Sequence, residues 1–468
     1  MMKIPEQYRY RVAIIYAIAL FLDRLDLTIV NITLPSIAES FHVPITSVNW
    51  INLSFLLALS ISIPIGCWLG KRFGYKKIYI SAMMLFGLSS TLCAWAPNIP
   101  TLLVLRFFHG IGDGLLIPVG MTLLYRAFKP SEYASITSFT FLPALIAPAI
   151  APFLGGVILD VFNWKMVFLL SGPISLILAI IASLYLIEDK EAFVEPLDWQ
   201  GFILFAAILF TLFYTLSLDG ERILVTLIVG CLLLSILIGL FIRREKTTSV
   251  PLIDLSLFSK RSFVKANLIQ ICFQMCHFGA IYIIGVYLQL GVGMSASMAG
   301  FVMGMQALGA MAVSRYSVKL FNVSGAKTPI TIGLCGVAIL SPCLFLISNA
   351  KMIGFAALLF LVRGVFSGLC GSPIQTLSLV NMNKEDIPSA NTIFNACRQI
   401  SISLGIAVSS ALLGIGYRFT HLAQNNYVIE KQHLFNLFCF GLFAITVIAG
   451  CGVLITQTLS KNESSIYL

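Results

Sequence analysis

The chain has 468 residues, 58% of them hydrophobic and only 11% charged, with a mean hydropathy of +0.94. A soluble protein carries about a quarter charged residues, and the apolar residues here come in long runs, so a soluble globular domain is excluded. The net charge of +10 reads as basic residues gathered in loops beside a membrane, with no nucleic acid as partner.

Runs of roughly 20 apolar residues cross the hydrocarbon core as helices. Helices and closed barrels alone satisfy their backbone polar groups there, and these runs are too continuous for the alternation of barrel strands. The pattern predicts spans over 11–35, 46–69, 79–96, 99–125, 133–159 and 164–187, then 199–218 and 223–242. Six more follow over 264–290, 295–318, 328–348, 352–380, 387–415 and 433–458. The expected fold class is all-α integral membrane with about 14 transmembrane helices. Residues 1–190 form a first six-helix bundle, 191–260 two extra central helices with their linkers, and 261–468 a second six-helix bundle.

The first run carries Asp23, Arg24 and Asp26, so it is a retained span rather than a cleaved signal. The link 188–198 is acidic and contains Pro196, the link 243–262 is basic, and the central pair between them holds no charge within its spans. Its expected role is structural or lipid-facing. All eleven cysteines fall within apolar runs, which predicts small buried hydrophobes rather than a disulfide framework.

Charge tests the topology. With the N-terminus inside, 21 of the 30 Lys and Arg fall on inside-facing segments, among them Lys71, Arg72, Lys76, Lys77, Arg126, Lys129, Arg243, Arg244, Lys260 and Arg261. Five fall outside (Lys165, Arg222, Lys351, Arg418, Lys431) and four lie deep within spans (Arg24, Arg106, Arg363, Arg398), residues at span ends being counted with the adjoining segment. That bias predicts cytoplasmic termini in a multi-pass cell membrane.

An ionisable residue within the bilayer is a functional candidate by default. Of the twenty Asp and Glu, three lie within spans: Asp23, Asp26 and Asp113. A carboxylate that gains and loses an arginine partner can bind and release a proton during a cycle. Asp26 is the leading carrier, against the alternative of a static ion pair with Arg106. Asp23, three residues earlier, shares roughly one helix face with it, or is neutralised by Arg24 or another neighbour. Arg24 is expected to point elsewhere. Arg106, His109 and Asp113 are spaced by three and four residues and fall on one stripe; they form either a proton relay or an inert buried network.

The span 133–159 contains Pro143, Pro148, Pro152, Gly155 and Gly156. Proline removes a backbone donor and small residues allow close helix approach, so a kinked, tightly packed and mobile helix is expected, with ordinary packing as the alternative. In the span 264–290, Gln274, His277, Tyr282, Tyr287 and Gln289 stand among Phe273, Met275 and Phe278. That mixture suits a wide pocket for an amphipathic substrate, or plain core and lipid contacts. Arg363, and Arg398 with Asn391 and Asn395, have no acid in the C-terminal spans to pair with; they either bond carbonyls or attract an anionic substrate group. A weak repeat links the halves: His109-Gly110, Gly112, Gly114 and Pro118 against Arg363-Gly364, Gly368, Gly371 and Pro373, as in parallel six-helix repeats around a midplane site. No metal site, phosphate loop, catalytic nucleophile or ATPase domain is read, so the energy source is an ion or substrate gradient and no cofactor is expected.

These residues resemble the major facilitator superfamily. Leu69, Gly70, Lys71, Arg72, Phe73, Gly74, Tyr75, Lys76 and Lys77 match its loop between spans 2 and 3, with Lys71 where the family usually has Asp. Leu25-Asp26-Leu27-Thr28, Asn31 and Pro35 resemble the first-span signature of the fourteen-helix drug:proton antiporter branch (EmrB/QacA type), and Trp50 fits as well. Arg106, Gly110 and Gly112 resemble its R-x-x-x-G-x-G motif, with His109 and Asp113 where it has Gln and a small residue. Ala151-Pro152-Phe153-Leu154-Gly155-Gly156 is similar to its antiporter motif, with Ala151 replacing a Gly. Pro251-Leu252-Ile253-Asp254, Tyr287-Leu288-Gln289 and Arg398 agree with its second half.

The resemblance implies a major facilitator fold, export and proton antiport in a bacterial inner membrane. It makes Asp26 and Arg106 the coupling candidates, Lys71, Arg72 and Gly74 a gating loop, and the Pro148–Gly156 stretch a conformational helix. In a Gram-negative source it implies a periplasmic adaptor as partner. The expected function is a proton-coupled efflux transporter of amphipathic drugs or small metabolites; the alternative is proton-coupled uptake, or export of one metabolite such as a siderophore. A membrane enzyme or sensor lacks any supporting constellation.

Overall fold

The computed structural model describes residues 6–43, 45–129, 132–188, 196–216, 223–248, 251–253, 255–347, 349–380, 382, 386–422 and 431–459. Arg222 and Asp254, and the side chains of Arg418 and Lys431, lie outside the described residues. Among those described there are fourteen α-helices and no strand. They are α1 (Glu6–Ser40), α2 (Ile45–Phe73), α3 (Tyr75–Cys93), α4 (Ile99–Ala127), α5 (Tyr133–Val161), α6 (Lys165–Tyr185) and α7 (Trp199–Leu216). Then come α8 (Ile223–Thr247), α9 (Arg261–Val286), α10 (Ala296–Ser324), α11 (Lys327–Cys343), α12 (Ile353–Leu379), α13 (Ile387–Leu422) and α14 (Lys431–Gln457).

Each helix matches one expected span, and most of them run past the bounds of the apolar run. Backbone bonding does not stop where hydropathy does, so α1 begins at Glu6 and α13 reaches Leu422. Two spans end differently from a plain helix. The 264–290 run closes with a π-helical turn at Tyr287–Gly291, and the 328–348 run leaves α-helix at Cys343 for a 3₁₀ turn at Leu344–Leu346. Eight of the described helices are long and apolar enough to cross a bilayer; α1, with Asp23, Arg24 and Asp26 in its middle, is not among them.

Local chemistry sets several ends. Asn98 caps α4 by accepting from Thr101 N at 2.9 Å, with proline in the first turn where no amide is needed. Ser295 caps α10 through Met298 N at 3.3 Å, and Gly325 ends it at φ 72°. Gly74 breaks α2 from α3 at φ 102°, and a Cβ there would strike the Glu188 carboxylate.

The chain divides into two compact units, Met1–Leu197 and Asp198–Leu468. In the first, α1 packs on α5, α2 on α4, and α3 on α4 and α6. In the second, α9 packs on α13, α10 on α12, and α11 on α12 and α14. The pairing is the same with every helix number raised by eight. The central helices α7 and α8 pack on each other and belong to the second unit, where α7 also touches α13.

The weak glycine repeat has a counterpart in this packing. A Cβ on Gly110 would lie 2.1 Å from the carbonyl oxygen of Phe55 on α2, and one on Gly364 would lie 2.1 Å from that of Gln306 on α10. Gly114 and Gly368, a turn later, meet the Leu59 and Ala310 carbonyl oxygens at 2.5 and 2.7 Å. Both helix pairs therefore touch backbone to backbone, which only glycine permits. α5 continues as one helix through Pro143, Pro148 and Pro152, and a Cβ on Gly155 would meet Ile29 of α1 at 2.6 Å, so the tight packing expected there is present. All eleven cysteines are free, and Cys93, Cys276 and Cys370 are buried; Cys231 and Cys451 are exposed, contrary to the expectation of burial. The hydrocarbon of a bilayer solvates an outward thiol as readily as a core does.

Candidate functional site

α1 and α4 cross in the first unit with their polar stripes facing. Asp26 is fully buried and Arg106 only 1% exposed. Arg106 Nη1 donates to Asp26 Oδ2 at 2.9 Å and lies 2.8 Å from His109 Nδ1, while Nε reaches the Ile51 carbonyl oxygen at 3.4 Å. The His109 ring is fully buried, 3.9 Å from the same Asp26 oxygen, with edges against Phe86 and Phe55. The guanidinium lies over the Phe55 ring at 4.2 Å. Ser171 of α6 donates to the other Asp26 oxygen at 3.4 Å and pairs with Ser90 at 3.1 Å. A carboxylate, a guanidinium and an imidazole thus meet on one carboxyl oxygen in a dry, aromatic-walled place.

Asp23 and Asp113 are also buried. Arg24 Nε is 3.1 Å from Asp23 Oδ2, so the expectation that Arg24 points elsewhere is corrected: its long side chain folds back, although adjacent helical residues diverge. Asp113 lies within hydrogen-bonding reach of the Asp23 carboxyl. Asn31, one turn and a half beyond Asp26, accepts from Asn52 of α2 at 2.7 Å and donates to Leu27 O at 3.2 Å.

The second unit places Arg363 fully buried on α12, and its hydrogen-bond partners among the described residues are all neutral. It donates to Gln306 Oε1 at 2.6 Å, Ser341 Oγ at 3.3 Å and Cys276 O at 3.4 Å. Gln306 lies 3.2 Å from His277 Nε2. His277 packs on Phe273 and Phe278. By the glycine match, Arg363 stands where His109 stands in the first unit. Tyr287 donates across to Ile347 O, just beyond α11, at 2.9 Å, and Gln289 donates to Gly285 O on its own helix at 3.2 Å. Gln274 and Tyr282 are buried, Arg398 is half-buried, and Asn395 bonds Asn391 on the same helix at 2.8 Å.

Of the loop candidates, Lys71 and Arg72 are exposed at the end of α2 beside Gly74, while Pro152, Gly155 and Gly156 are buried on α5 and Pro148 is half-buried. At the same end, Arg9 of α1 donates to the Ala127 carbonyl oxygen at 3.1 Å, pairs with Glu132 and lies over the Phe128 ring at 4.5 Å. The pairing with Arg9, with the Lys129 amide, holds the Glu132 carboxyl down at about 2. Sequence reasoning missed Arg9, Glu132, Asn52, Ser171, Gln306 and Ser341; a polar side chain inside an apolar run was the available signal for the last four. Among the described residues no group of His, Cys, Asp and Glu could hold a metal ion.

Residues 16–406 match the sequence profile of the Major Facilitator Superfamily. The chain is 29% identical over 471 residues to a protein of Enterobacter sp. strain 638 provisionally named multidrug resistance protein MdtD, covering 99% of this chain and 97% of that one. It is 28% identical over 448 residues to the protein so named in Citrobacter koseri, covering 94% of each. Among solved structures it resembles a bacterial homolog to the human lysosomal transporter Spinster in an inward-facing, unoccupied conformation, with a TM-score of 0.69, 16% identity and coverage of 99% and 100%. It also resembles a D-xylose-proton symporter, with a TM-score of 0.67, 14% identity and coverage of 98% and 100%. At those identities the likeness to the solved structures carries the fold alone.

Proposed function

Because the chain belongs to the major facilitator superfamily, and so is a multi-pass membrane transporter rather than an enzyme, we propose that it exports amphipathic drugs or small metabolites in exchange for protons. The observation that carries the proposal is the buried Asp26–Arg106 pair, with His109 on the same guanidinium. A membrane protein keeps such a pair at a cost, and its use is a carboxylate that takes up a proton when the arginine leaves and releases it when the arginine returns. The reading requires Arg106 of α4 to part from Asp26 of α1 at one stage of the alternating-access cycle, a local rearrangement within the first unit. Export is supported by the relatives named for multidrug resistance.

The same reading assigns the chain to the fourteen-helix drug:proton antiporter branch, with all fourteen helices spanning a bacterial inner membrane and both termini in the cytoplasm. The charge bias between loops supports that orientation. The proton gradient is the energy source and no cofactor takes part.

The test uses purified protein in proteoliposomes with a lumenal pH dye, an acid interior and ethidium as the amphipathic probe. Antiport moves protons out as ethidium enters, so the lumen turns alkaline on addition. Acidification, meaning joint entry, overturns antiport in favour of uptake. Asp26→Asn abolishes the gradient-driven signal; full uphill transport by that variant refutes the carrier assignment.

A further inference from the structure

We propose that Asp23 and Asp113 form a second proton site, in which the two carboxyl groups hold a single proton between them, one helical turn from Asp26. It rests on the reading of Asp26 as the carrier only for its role in transport; the site itself stands on the following geometry.

Both side chains are buried, at 1% and 0% exposure. They come from different helices, α1 and α4, and their carboxyls lie within hydrogen-bonding reach of each other. Two ionised carboxylates have no donor to offer one another, and apart from the Arg24 Nε contact at 3.1 Å on Asp23 Oδ2 none of the four oxygens meets a donor among the described residues. A proton on either group supplies the missing donor and removes the repulsion, the arrangement that paired aspartates adopt when like charges are forced together.

Charge counting agrees. Around the crossing stand three carboxyls, Asp23, Asp26 and Asp113, and two guanidiniums, Arg24 and Arg106. Arg106 is committed to Asp26 and Arg24 to Asp23, which leaves Asp113 without a paired cation among the described residues. An unpaired charge in so dry a place is expensive, and one proton makes the cluster neutral.

Tyrosines and an imidazole stand around it, and the basic side chains of α2 are exposed at the helix end. From α1 comes Tyr16, whose buried hydroxyl has no hydrogen-bond partner and lies close enough to Asp23 and Arg24 to interact with both. From α3 comes Tyr79, also unpartnered, and from α4 come His109 and Tyr125. α2 carries Cys67, Lys71 and Arg72 in its last turns, α5 has no ionisable residue between Tyr133 and Asp160, and α6 none between Lys165 and Tyr185. Gly120 of α4 makes room for both tyrosine rings: a Cβ there would lie 2.5 Å from Tyr16 and 2.7 Å from Tyr79. These unpartnered hydroxyls extend the polar column beyond the carboxyl pair.

The column has a direction. Arg9 near the start of α1 bonds Ala127 at the end of α4, so the helices are antiparallel and that end is common to both. Asp23 precedes Asp26 on α1 and Asp113 follows Arg106 on α4, so the pair lies about 4.5 Å nearer that end than the carrier. Tyr16 and Gly120 lie further along. By the charge bias this end faces the cytoplasm. The pair stands between the carrier and the cytoplasmic side, placed to give its own proton up toward the cytoplasm and to be refilled by the proton that Asp26 releases when Arg106 returns.

The test is infrared spectroscopy of the purified full-length protein near neutral pH, where an aspartate with a reference pKa of about 3.9 is ionised in water. The expected result is a protonated-carboxyl band equal to one group per chain, lost in Asp113→Asn and Asp113→Ser and kept in His109→Gln. Absence of the band from the wild-type protein overturns the proposal without any variant. So does a band unchanged in both Asp113 variants, or one that sodium titrates away, which would make the pair a cation site. Because no transport is measured, the result stands apart from the ethidium experiment. If the band is present and ethidium moves without protons, the second site survives and the coupling scheme fails.

Discussion

Asp26→Asn is expected to weaken the first unit as well as stop its pumping. The substitution keeps the size of the side chain and one acceptor oxygen, but strands the Arg106 charge at 1% exposure. What remains around the guanidinium is neutral: His109 Nδ1 at 2.8 Å, the Ile51 carbonyl oxygen at 3.4 Å and the Phe55 ring at 4.2 Å. Breaking a buried pair by removing one partner costs about 3–5 kcal/mol, and the retained amide acceptor puts this case near the lower end. That is roughly a hundredfold in the folded-to-unfolded ratio, at about 1.4 kcal/mol per decade. Arg106→Gln in the same chain removes the stranded charge, so the double variant Asp26→Asn/Arg106→Gln is expected to recover at least half of the loss. The assay is reversible unfolding in mixed micelles, analysed as a double-mutant cycle. If Asp26→Asn unfolds within about 0.5 kcal/mol of wild type, or the two substitutions simply add, the pair is not the buried ion pair argued here.

Gly110→Ala and Gly364→Ala each drive a methyl to 2.1 Å from a neighbouring carbonyl oxygen, so each is expected to lower thermal stability by about 1–3 kcal/mol or more. Gly239→Ala, with nothing within 4 Å, is the matched control and should leave the melting temperature unchanged or raised. His109→Gln keeps an acceptor for Arg106 and should retain proton-driven ethidium transport; loss of the pH signal with binding intact would instead make the imidazole an obligatory relay. Glu132, held at about 2 from an ordinary 4.5, first by its bond to Arg9 and then by the Lys129 amide, contributes stability that is present above about 4.5 and lost as pH falls toward about 2. Glu132→Gln should flatten the acid side of the stability profile over that window, and added salt should shrink the difference, since the side chain is 39% exposed.

Hydropathy determined most of the architecture. Each of the fourteen runs became a helix, the structure that closes a backbone's hydrogen bonds within one apolar segment, and the acids of the runs stood out because burying charge is costly enough to leave a mark on composition. That is why Asp23, Asp26, Arg106 and Asp113 were legible as a candidate set. Their pairings stayed open, with Asp26–Arg106 and Asp23–Arg24 standing only as alternatives. Asp26 and Arg106 stand 80 residues apart, and only the antiparallel crossing of α1 and α4 decided that Arg106 takes Asp26 and that Arg24 folds back on Asp23. It likewise left Asp113 facing a carboxyl instead of a cation. Ser171, Asn52, Gln306 and Ser341 went unread because a hydroxyl or amide can bond its own helix and so costs an apolar run little, and its neighbours across the bundle are set by packing. The glycines showed the same division. Their spacing hinted at a repeat, but the contacts at Phe55 and Gln306 exist only where two helices meet, since the space a missing Cβ opens belongs to the neighbour that fills it.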